Sequence, residues 1–131
     1  MRAAMVLCVG CAGTGGDAAM QVFVFAGQSN MVGGAQPEEL PDYLRSMPPN
    51  AYLWEDGRWL PLRAGREWGP EVGFAHHMAE ARPERDIGIV KLAVGGTSLT
   101  AWAPRWSAER AAVIVNADAG PLYEKLLERV R

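Results

Sequence analysis

Thiols are scarce in this chain: of 131 residues only Cys8 and Cys11 are cysteines. Everything after residue 11 is therefore without disulfides and has to be held by packing alone. No apolar run reaches the eighteen residues that an ordinary transmembrane helix needs. Charge of one sign is also missing. Thirteen Lys and Arg against fifteen Asp and Glu give a net charge of −2 with no basic stripe, which argues against a nucleic-acid partner. Histidine is limited to His76 and His77, which are adjacent. Neighbouring residues on a helix point about 100° apart, so at most one could face a catalytic site at the sheet edge. The expected roles are one solvated ring and one at a helix–sheet boundary, with neither as a catalytic base. At this length the chain is one domain at most.

What is present is organised around Val22-Phe23-Val24-Phe25-Ala26-Gly27-Gln28-Ser29-Asn30-Met31. A short run rich in Val and Phe, ended by a turn-former, reads as a buried strand over residues 22–26. Gly27 lets the chain turn sharply. Ser29 follows at the C-terminal lip of that strand, where open α/β sheets place their ligands. If a helical turn begins there, its free N–H groups can hold an oxyanion. The plain alternative is a helix N-cap, a role Ser commonly fills.

Residues 1–20 read as a targeting segment: Arg2, a short apolar stretch from Ala3 to Val9, then small residues. Cys8-Val9-Gly10-Cys11 resembles a degenerate lipobox with Cys11 as a lipid anchor, although Cys8 stands where a bulky Leu is usual. The expectation is export in a bacterium. A redox reading of Cys8-x-x-Cys11 lacks the βαβ setting it needs. Gly13-x-Gly15-x-x-Ala18 lacks room for a dinucleotide-site crossover helix before the next strand.

Further on, Glu38 to Met47 is expected to form a short helix, with Pro41 inside it as a candidate start. Asp56-Gly57 between Ala51-Tyr52-Leu53-Trp54 and Arg58-Trp59-Leu60-Pro61 signals a hairpin, read as a surface excursion with Trp54 and Trp59 packed across it. Pro70 to Ala81 reads as a helix, with Val72, Ala75, Met78 and Ala79 on one stripe. Ile87 to Val94 is a second buried strand running into Gly95-Gly96. Strand, helix and strand give a βαβ unit, which brings the Gly95-Gly96 turn beside Ser29. Two glycines leave backbone N–H groups unshielded, as an oxyanion hole requires, or they simply meet the needs of a tight turn. Gly120-Pro121 opens a last helix with Leu122, Leu126 and Leu127 on its apolar side.

Gly27-Gln28-Ser29-Asn30-Met31 resembles the first block of the SGNH (GDSL-like) hydrolases, in the sialate O-acetylesterase and acetylxylan-esterase branch. Gly69-Pro70-Glu71-x-x-Phe74-Ala75 is similar to a segment between the first two blocks of that branch. Lys91-Leu92-Ala93-x-Gly95-Gly96-Thr97-Ser98-Leu99-x-x-Trp102 resembles its second block. The resemblance covers residues 21–131. It implies a three-layer α/β/α flavodoxin-like fold with a parallel sheet, here incomplete, and a serine esterase that removes O-acetyl groups from carbohydrates. Ser29 would be the nucleophile, with the N–H groups of Ser29 and of Gly95 or Gly96 as oxyanion donors. Gln28, Asn30, Glu71 and Trp102 would line the pocket, and no metal or organic cofactor is implied. The family's later blocks, Trp-x-Gln-Gly-Glu-x-Asp and Asp-x-x-His, have no counterpart in these residues. A serine alcohol needs a base to take its proton. The chain is accordingly expected to be the N-terminal part of an esterase and inactive alone. The alternatives are a non-catalytic carbohydrate-binding or exported remnant and a non-functional gene fragment.

Overall fold

The structure is a computed structural model that describes residues 5–9, 19–63, 68–112 and 117–131. Its centre is a five-stranded sheet in the order β1-β2-β5-β3-β4. The strands are β1 (Met5–Val9), β2 (Gln21–Gly27), β3 (Ala51–Glu55), β4 (Arg58–Pro61) and β5 (Ile87–Ala93). β2 and β3 flank β5 and both run parallel to it, with Phe23 opposite Ile89 and Leu53 opposite Ile89 in turn. The outer strands β1 and β4 pair antiparallel to their neighbours. Of the leader expected over residues 1–20, Met5–Val9 forms β1, while residues 1–4 and 10–18, Cys11 among them, lie outside the described residues.

The parallel α/β class expected from the sequence is the one observed, consistent with a partial flavodoxin-like fold. The hairpin forms at Asp56-Gly57, whose φ angles of 49° and 77° suit a turn with both central residues left-handed. It is not a surface excursion, however. β3 joins β5 in the parallel sheet, anchored by Ile87 N–H donating to Asn50 O at 2.7 Å. Trp54 and Trp59 face each other across the hairpin with ring centroids 5.0 Å apart. Trp59 also lies over Gly88, where any Cβ would come within 2.8 Å of its ring.

Helix α2 (Pro70–Ala81) has the limits expected from the sequence. It covers the sheet face formed by Phe23, Phe25, Ile87 and Ile89, into which Ala75 and Ala79 are fully buried. Phe74 meets Phe23 and Phe25 edge-on at 4.8 and 5.2 Å. On the opposite face Val24, Val90 and Leu92 are buried too, so the central strands are covered on both sides, as parallel strands require. The helix expected over 38–47 resolves into two 3-10 helices, Pro37–Glu39 and Asp42–Leu44. Pro41 separates them, because it disfavours helical geometry in the residue before it and lacks an N–H. The remaining α-helices among the described residues are α1 (Ser29–Val32), α3 (Ala108–Ala111) and α4 (Leu122–Val130).

Candidate active site

Because β2 and β5 are parallel and in register, Gly27 stands beside Ala93, and both strands end at one edge of the sheet. Val94 N–H donates to Gly27 O at 3.1 Å just beyond that pair. Ser29 and Gly95 each lie two residues past it, on the paired strand ends. The two strand ends are thus neighbours, as the βαβ topology requires. Ser29 opens α1, a single helical turn, and both Ser29 and Asn30 are exposed while Met31 plugs the core. A Cβ on Gly27 would come within 2.8 Å of the Met31 Cβ, which is why the sharp turn into Ser29 needs a glycine.

Gln28 is the N-cap of this turn, and its side-chain Oε1 accepts from Ser29 N–H at 3.0 Å and from Ser29 Oγ at 2.7 Å. One amide oxygen thus holds the two groups of Ser29 that acyl chemistry would use. For that N–H to reach an oxyanion, the Gln28 amide must turn aside.

The second rim of the site is the Gly95-Gly96 turn, in which both residues are exposed and Gly96 has φ 72°. Nothing lies within 4 Å of where a Gly95 Cβ would stand, so this face of the turn is open. Thr97 ties the turn back through Oγ1 to Val94 O at 2.8 Å, and Trp102 Nε1 donates to the same Oγ1 at 3.4 Å. Trp102 is half-buried against that anchor, whereas Leu99 is 87% exposed at the rim.

Glu71 sits behind the site rather than on its surface. It is 6% exposed, with Oε2 2.7 Å from Lys91 Nζ and Oε1 accepting from Gly69 N–H at 3.2 Å. Lys91 Nζ in turn donates to Val32 O at 3.0 Å, at the end of the Ser29 turn. A Cβ on Gly69 would meet the Glu71 carboxylate, Val32 O and Lys91 Nζ, all at 2.8 to 3.1 Å. Gly69-Pro70-Glu71 thus has a physical basis: a residue without a side chain where the charges converge, a proline to start α2, and an acid turned back onto the start of its own helix. The sequence reading missed Lys91 as part of this arrangement. Its signal was a lone charge inside an otherwise apolar strand.

One of the two histidines is solvated, as expected: His77 is largely exposed, whereas His76 is 4% exposed. Both rings lie against Tyr43, at 5.6 and 6.0 Å between centroids.

A family model described as carbohydrate esterase, sialic acid-specific acetylesterase, matches residues 19–131. The chain belongs to this family. Within this carbohydrate esterase family the described strands and turns carry the first two sequence blocks and the segment between them. A crystal structure of a protein from Arabidopsis thaliana is similar to this chain, with a TM-score of 0.62 and 20% identity over 83% of this chain. That likeness speaks to the fold. The chain spans 49% of the length of that Arabidopsis protein. A search of the curated proteins gives no match.

Proposed function

We propose that this esterase-family chain carries the nucleophile and part of the oxyanion hole of a serine esterase that removes O-acetyl groups from carbohydrates, such as sialic acid or acetylated xylan. The observation that supports this reading best is the pairing of strand ends that puts exposed Ser29 and the exposed Gly95-Gly96 turn at one sheet edge. Ser29 Oγ attacks the acetyl carbonyl carbon, its proton passes to a base, and the tetrahedral oxyanion is held by N–H groups of Ser29 and of Gly95 or Gly96. Collapse expels the sugar hydroxyl and leaves an acetyl-enzyme, which water cleaves to acetate. Gln28 swings from Ser29 to free its N–H, and Gln28, Asn30 and Trp102 line the sugar side. Glu71 acts from behind, through Lys91 and the Val32 carbonyl. Neither His76 nor His77 is assigned as the base, since both sit on α2 against Tyr43. The same reading has the protein exported, with residues 1–20 as its leader.

The test is acetate release from O-acetylated sialic acid and acetylated xylan by the protein of the gene's whole reading frame, beside a Ser29→Ala variant of matched circular dichroism. Loss of turnover in the variant is expected, and retained turnover would remove Ser29 from the role. The 131-residue chain alone is expected to leave p-nitrophenyl acetate at its background rate.

A further inference from the structure

We propose that His76, His77 and Glu80 form a binding site for a divalent transition metal ion of the zinc class, separate from the esterase site and independent of its assignment. One ring nitrogen of His76, one of His77 and a carboxylate oxygen of Glu80 all lie within 4.8 Å of one another. His76 is 4% exposed, and its Nδ1 is buried without a hydrogen-bond partner. That nitrogen faces Glu80 Oε2 at 3.2 Å, the distance of an ion pair but not an aligned hydrogen bond. Two lone-pair atoms brought that close repel each other unless a cation sits between them.

A proton or a metal ion would serve, and the third donor distinguishes them. His77 Nδ1 lies 3.9 Å from the same Glu80 oxygen. A proton bridges two atoms, whereas a zinc ion takes three protein donors and a water. Donors about 2.1 Å from a zinc ion and 3.2 Å apart subtend about 100° at the metal, close to the tetrahedral angle. His77 and Glu80 are exposed, so a small side-chain rotation closes the remaining gap. Two imidazoles and one carboxylate form a donor set suited to zinc, nickel or copper and poorly suited to magnesium. Tyr43 walls the site, edge-on to His76 and tilted over His77. The three residues belong to the last two turns of α2, while Glu71 at its first turn faces Lys91. A bound ion would therefore pin the far end of α2, next to the 3-10 helix that carries Tyr43.

The experiment is calorimetric titration of zinc chloride into the untagged chain with Cys8→Ser and Cys11→Ser, which removes the competing thiols. His77→Ala and Glu80→Gln are compared in the same background, with circular dichroism to confirm folding, since both replaced side chains are exposed. One equivalent of zinc bound at micromolar affinity is expected, weakened about tenfold or more by either variant, with no magnesium binding. A cobalt complex with the strong visible absorption of tetrahedral coordination is expected as well. Absence of saturable zinc binding, or affinity unchanged in both variants, would overturn the proposal.

Discussion

Replacing Lys91 by Met tests how the Ser29 turn is held. The thioether keeps most of the lysine stem's volume but removes the ammonium that lies 2.7 Å from Glu71 Oε2 and 3.0 Å from Val32 O. At that separation the gross attraction is about 6 kcal/mol at an effective dielectric of ~20, most of it offset by desolvation of the two ions. Removing one partner of a buried pair costs about 3–5 kcal/mol, because it strands the other charge. Among the described residues Glu71 then keeps only the Gly69 N–H, and its side chain is 8% exposed, so it cannot rehydrate in place. Lys91 is 18% exposed, which puts the expected loss near the lower end, about 3 kcal/mol. That is a large share of the ~5–15 kcal/mol of a typical domain. Urea unfolding followed by tryptophan fluorescence reads it as a lower midpoint at unchanged slope. The double variant Lys91→Met/Glu71→Gln removes both charges and is expected to be milder than the sum of the singles by about 1.5 kcal/mol or more. A single-variant loss under about 1 kcal/mol, the worth of a solvated surface pair, would refute the reasoning.

Other consequences can be checked in the same way. Asn50 Nδ2 lies 3.3, 3.3 and 2.8 Å from the carbonyls of Ala79, Arg82 and Arg85 at the end of α2. Asn50→Ala should cost about 1–3 kcal/mol in urea unfolding. Gly33 has φ 86°, and a Cβ there would meet Trp68 O at 2.1 Å, so Gly33→Ala should destabilise by about 2 kcal/mol or more and detach the loop before α2 in hydrogen exchange. Trp102→Ala in the whole reading frame is expected to raise KM for acetylated sugars while leaving hydrolysis of p-nitrophenyl acetate nearly unchanged. Equal losses on both substrates would place Trp102 in the support of the Gly95-Gly96 turn instead.

Much of this was readable from one-dimensional pattern. The Val–Phe run of β2, the Pro70 start and apolar stripe of α2, and the Asp56-Gly57 turn are local signals, and each element formed where its signal stood. The position of β3 was not readable, because its pairing with β5 joins residues more than thirty apart and leaves no mark within either segment. The break at Pro41 was legible in kind but not in outcome, since two short 3-10 turns and one helix share the same residues. At the site, the sequence marked Ser29, Gly95 and Gly96 by their motif. It placed Glu71 in the lining, and only the fold reveals the carboxylate turned inward to Lys91. The double hydrogen bond of Gln28 to Ser29 was equally invisible, because it depends on a side-chain rotamer.

The Ser29 turn is fastened to β5 at both ends, by Val94 N–H on Gly27 O and by Lys91 Nζ on Val32 O. The same strand carries the Gly95-Gly96 turn. Ser29 and the Gly95-Gly96 turn therefore share one chassis, and the exposed surroundings that can vary around them lie at the rim, at Leu99 and Trp102. That rim can be rewritten while the placement of Ser29 beside the Gly95-Gly96 turn stays fixed by a single strand.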